Sequence, residues 1–111
     1  PGLVPQTTYW LMRKGYPVGL SRLRHHLNDA LRKVGGHIGY YIRPAERKKG
    51  YGYKILTLTL EKAALLPIED VLLTCDSDNL SSRRIIEKHG GRLDREDKDG
   101  DLCCYWITLN R

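Results

Sequence analysis

The chain has 111 residues, a net charge of +6 and three cysteines, with 41% hydrophobic and 29% charged residues. That composition describes one ordinary globular domain and excludes disordered, collagen-like and fibrous chains. The longest apolar run, Ala63-Ala64-Leu65-Leu66, is far short of the roughly 20 residues that cross a bilayer, so no membrane partner is expected.

Residues 7–13 (TTYWLMR) are β-branched and aromatic and read as a strand. Lys14-Gly15-Tyr16-Pro17 supplies turn chemistry, and residues 18–24 are the return strand of a hairpin. Residues 27–34 read as a short polar helical turn or ordered loop closed by Gly35-Gly36. A third strand covers residues 37–43 (HIGYYIR) and stops at Pro44, which cannot donate to a ladder.

Residues 50–66 carry two patterns: Leu56, Leu58 and Leu60 alternate like a strand, whereas Leu56, Leu60, Ala63 and Ala64 share one helix face. Length decides for a helix ended by Pro67. Residues 71–75 (VLLTC) form a short apolar strand of the kind covered on both faces. Asn79 caps a second helix stopped by Gly90-Gly91, and strands at 92–96 and 102–109 join around Asp99-Gly100.

The predicted order is ββ-β-α-β-α-ββ, an α/β fold of the α+β sandwich kind with a mixed, mostly antiparallel sheet and two flanking helices. The strand–helix–strand segment 37–75 predicts a right-handed parallel crossover.

Cys75, Cys103 and Cys104 offer no Cys-x-x-Cys spacing, and His25-His26 has no third ligand, so no metal site is expected. Reduced thiols and the lack of a leader-like segment read as a cytoplasmic protein. The chemistry concentrates in Arg43-Pro44-Ala45-Glu46-Arg47-Lys48-Lys49-Gly50-Tyr51-Gly52. There a strand ends, a basic turn follows, and two glycines open a helix whose unpaired N–H groups and positive dipole end favour phosphate oxygens. The cations crowd one helix start. A nucleic-acid partner would need them spread along a surface with aromatics between, which argues against one.

Arg47-x-x-Gly50-x-Gly52 after a strand-ending proline resembles the pyrophosphate-binding signature of the GNAT superfamily of acetyl-coenzyme A-dependent N-acetyltransferases. Asn79-x-x-Ser82, followed by Ile85-Ile86-Glu87-Lys88-His89-Gly90-Gly91, is similar to the family's next helix, and both stand in the expected element order over residues 7–109. The resemblance implies acetyl transfer from acetyl-coenzyme A to a primary amine, of a small molecule or a protein N-terminus, by direct attack.

It further implies that the coenzyme lies in a V-shaped opening between the strand ending at Arg43 and the strand at 71–75, held by Arg47, Lys48, Lys49, Gly50, Tyr51, Gly52 and Asn79. The pantetheine arm would pair with backbone near Tyr41 and Ile42. Ile86 stands where many members carry a proton-donating tyrosine; Ser82, one turn earlier, is the hydroxyl that can donate instead, with His37, Tyr40 or a water relay as the base.

The family fold opens with a strand and two helices. The sequence therefore reads as a single domain over 1–111, N-terminally incomplete, whose unpaired starting edge admits a homodimer. The alternatives are a non-catalytic coenzyme A-binding module and a basic nucleic-acid-binding module, the latter distinguished by steep salt dependence.

Overall fold

The computed structural model describes residues 4–97 and 101–109. Strands β1 (Gln6–Arg13) and β2 (Tyr16–Arg24) form the expected hairpin, and β2 pairs antiparallel with β3 (Ile38–Ile42). Between β2 and β3 lies α1 (Asp29–Lys33), a helix of 5 residues capped by the Asn28 side chain on the Leu31 N–H. After β3 come a single 3-10 turn (Pro44–Glu46), α2 (Tyr51–Ala63), β4 (Asp70–Asp76) and α3 (Leu80–Lys88). The chain closes with β5 (Arg92–Asp97) and β6 (Leu102–Thr108); Asp99-Gly100, the expected turn between them, lies outside the described residues.

The strands form two sheets in the orders β1-β2-β3 and β4-β6-β5. Here the structure departs from the expected parallel crossover, because β3 and β4 are the facing edges of separate sheets and do not pair as neighbours. Among the described residues they are joined by one bridge, Gly36 to Leu73, beside a clasp in which the His37 N–H donates to the Leu72 carbonyl at 2.7 Å. Beyond that clasp the strands diverge. The Ile42 carbonyl, which a shared ladder would need, instead accepts from Arg47 Nε at 2.9 Å.

The core sits between the sheets and the two long helices, around Leu23, Ile38, Leu56, Leu73, Ile86 and Tyr105. Helix α2 buries Ile55, Leu56, Thr59 and Ala63, a stripe one helix face wide, against β2 and β3. That outcome follows the helical reading of 50–66: every second leucine could have faced a strand's core side, but the apolar stripe at 3.6-residue spacing is the one that packs. The opposite face of the first sheet is open, with the cross-strand row Trp10, Leu20 and Tyr41 on it. No helix among the described residues is long and apolar enough to cross a membrane.

Candidate active site

Where β3 leaves β4, a cleft of about 650 Å³ opens between the end of β3, the start of α2 and one face of α3. Its floor follows from the register of β3. The Arg43 N–H donates to the Val18 carbonyl and the Arg24 N–H to the His37 carbonyl, so the backbone groups of odd-numbered β3 residues face β2. By alternation the N–H groups of Tyr40 and Ile42 point to the free edge and into the cleft. Of the two positions expected to offer backbone to a ligand, Ile42 turns its N–H to that free edge. Tyr41 turns its backbone to β2 and contributes an exposed ring, with the Arg47 guanidinium 5.2 Å from the ring centroid.

The α2 start is an uncapped helix N-terminus. Lys48 and Gly50 hold φ of 64° and 87°, left-handed values that glycine adopts without strain and lysine does not. Gly50 is the N-cap and makes no side-chain cap bond, so the N–H groups of the first turn, on Tyr51, Gly52 and Tyr53, are open to a ligand. A Cβ at Gly50 would meet nothing within 4 Å, which marks open space above it. At Gly52 the reverse holds: a Cβ would stand 3.0 Å from Ile85 Cδ1, so the missing side chain lets α2 and α3 close on each other. Tyr51 is fixed by Arg13, which donates to its hydroxyl at 2.7 Å.

Eight of the nine expected coenzyme contacts, Tyr41, Ile42, Arg47, Lys48, Gly50, Tyr51, Gly52 and Asn79, line this cleft. Lys49 does not; it pairs at 3.0 Å with Glu46, which does line the cleft. Arg47 lines the cleft but spends its Nε on the Ile42 carbonyl, which ties the basic turn to the end of β3.

Tyr40 and Ser82 meet at the junction of this cleft with a second hollow of about 290 Å³ between β3 and β4, which includes Cys75 and Asp76. Their hydroxyls are 2.9 Å apart. Asn79, at the same junction, accepts from the Ser82 N–H at 3.1 Å and so fixes the first turn of α3. Burial pushes the Tyr40 phenol above its ordinary value, which keeps it protonated and makes it a donor. Ile86, at the position of the family's frequent tyrosine, is buried in the core and offers no proton.

His37 is not part of this group. It is buried at the clasp, where its Nδ1 accepts from the Leu72 N–H at 3.0 Å, and burial, with Arg32 and His26 adding, pushes it down to about 4. Its acceptor nitrogen is thereby occupied by backbone. The Cys75 thiol is pushed up to about 11, chiefly by burial and by Cys103, and so stays neutral. Two further cations, Arg84 and Lys88, line the cleft from α3. Their only signal was spacing: with Ser81 and Ile85 they occupy one face of the helix.

A family model described as an acetyltransferase (GNAT) domain matches residues 4–92, and the chain belongs to that family. No curated protein matches the sequence significantly. Among solved structures it is similar to a candidate acetyltransferase from Salmonella typhimurium determined with its cofactor acetyl-CoA (21% identity, 87% of this chain and 61% of that one, TM-score 0.71). An N-acetyltransferase from Staphylococcus aureus Mu50 shares 15% identity over 95% of this chain and 68% of its own, at a TM-score of 0.78. A ribosomal-protein-alanine N-acetyltransferase from Brucella melitensis shares 18% over 92% and 68%, at 0.74. The chain thus spans 61% of the length of the first of these proteins, and at such identities the likeness is one of fold.

Proposed function

We propose that the chain is the coenzyme-binding and catalytic part of an acetyltransferase that moves an acetyl group from acetyl-coenzyme A to a primary amine by direct attack. The observation that carries this reading is the meeting, in one cleft, of an uncapped helix start, a free strand edge and a buried hydroxyl pair. The residues fit the coenzyme: the bare N–H groups beginning α2 suit a pyrophosphate, and the open space at Gly50 admits it close to the backbone.

Acetyl-coenzyme A supplies the activated acetyl group as a thioester. The free edge of β3 offers main-chain hydrogen bonds to an extended arm, and the Ile42 N–H is the donor available to a developing oxyanion. Ser82 and Tyr40 hold a proton at the junction between cleft and hollow, where a leaving thiolate requires one. The hollow between β3 and β4 is the place for the acceptor amine, and the Cys75 thiol there, held neutral by burial, is a poor nucleophile, in keeping with direct attack. N-acetylation of a ribosomal-protein alanine, the act named for the Brucella melitensis protein, is within this scheme.

The test is release of free thiol from acetyl-coenzyme A in the presence of a panel of amines, including peptides with free N-termini. Ser82→Ala and Tyr40→Phe are expected to lower kcat by about tenfold to a hundredfold with little change in KM for acetyl-coenzyme A. Thiol release that no amine accelerates, or variants as fast as the parent, would overturn the catalytic assignment.

A further inference from the structure

Helix α3 gives the cleft a second cationic wall. Ser81, Arg84, Ile85 and Lys88 face it, and Arg84 and Lys88 stand one helical turn apart, at i and i+4. Both are exposed, and among the described residues neither has an ion-pair or hydrogen-bond partner. Their neighbours differ in this respect. Arg83 is engaged by Tyr105, the Ser77 carbonyl and Glu96; Lys49 by Glu46; Arg47 by the Ile42 carbonyl. Like charges one turn apart repel each other, and an anion between them removes that repulsion.

Neither residue lines the hollow between β3 and β4, so they address the coenzyme side of the site and not the acceptor side. The opposite wall, at the α2 start, already offers its N–H groups to one anionic centre. The cleft is therefore built for a ligand with two anionic centres, one on each wall. Resting on the coenzyme reading above, we propose that Arg84 and Lys88 bind a phosphomonoester, the ribose phosphate of coenzyme A, and select the phosphorylated coenzyme over its dephosphorylated form. A terminal phosphate carries close to two charges and three acceptor oxygens at neutral pH, enough for the guanidinium fork of Arg84 and the point charge of Lys88 together.

Calorimetric titration of the 111-residue chain with coenzyme A and with dephospho-coenzyme A tests this. The parent should prefer coenzyme A by about tenfold or more at low salt, the preference narrowing as salt rises. The double variant Arg84→Ala/Lys88→Ala should bind coenzyme A as weakly as the parent binds the dephosphorylated form, with its affinity for the latter unchanged. The single variants Arg84→Gln and Lys88→Gln, checked by circular dichroism, give the same readout if the double variant does not fold.

Equal affinity of the parent for the two ligands would overturn this proposal and leave the coenzyme reading standing. Full preference retained without Arg84 and Lys88 would overturn their assignment. Binding of neither ligand by the folded parent would overturn both readings.

Discussion

His37 joins the two sheets through both its backbone and its ring, donating its N–H to the Leu72 carbonyl and accepting the Leu72 N–H at Nδ1. Protonation would remove that acceptor and place a charge among buried groups, so its pKa is held at about 4 against 6.5 for the unfolded chain. Well above pH 6.5 the ring is neutral in both states and its contribution to stability is complete. As pH falls from there toward 4 the unfolded chain takes up the proton first, and up to about 3 kcal/mol is lost. His37→Asn should therefore lose less stability than the parent between about pH 7 and about pH 4.5 in urea unfolding, since asparagine does not titrate. Equal losses would assign the acid sensitivity elsewhere. The sequence placed His37 on a strand, which is nearly right, but a strand position does not reveal whether an imidazole lines a site or clasps a backbone.

At the scale of elements, α2 owes its position to a polar contact as well as to its apolar stripe. Ser21 on β2 and Thr59 on α2 are both buried with their hydroxyls 2.7 Å apart, and Thr59 also donates to the Ile55 carbonyl one turn back. Thr59→Val keeps the shape and strands the Ser21 hydroxyl, which should cost about 1–3 kcal/mol in urea unfolding. Adding Ser21→Ala should recover part of the loss, because no buried hydroxyl is then left unpaired; a double variant weaker than Thr59→Val would contradict this account. The existence and order of the long elements were legible because caps, glycine stops and a 3.6-residue stripe are local signals. The separation of β3 from β4 was not. Each strand looks complete by itself, and what accompanies their separation lies outside both strands: the Arg47 bond to the Ile42 carbonyl and the seating of α3 at the fork.

For the molecule as a whole, the proposed function depends on that divergence: two sheets share one core yet leave a free strand edge beside a helix start. The basic turn and its glycines were readable as a phosphate cradle because their chemistry lies within a few residues. The Tyr40–Ser82 pair spans 42 positions, and Arg84 and Lys88 look in sequence like any solvated helix face, so only the folded chain brings them to the cleft. The central claim is that the cradle takes acetyl-coenzyme A, and calorimetric titration with that ligand tests it most directly. The parent should bind, and Gly50→Asp should weaken binding on the order of a hundredfold, since a carboxylate would stand in the open space above the N–H groups. Gly50→Ala pays the same left-handed backbone strain without the charge and should keep most of the affinity. No binding by the folded parent, or a Gly50→Asp variant that binds as tightly as the parent, would contradict the account.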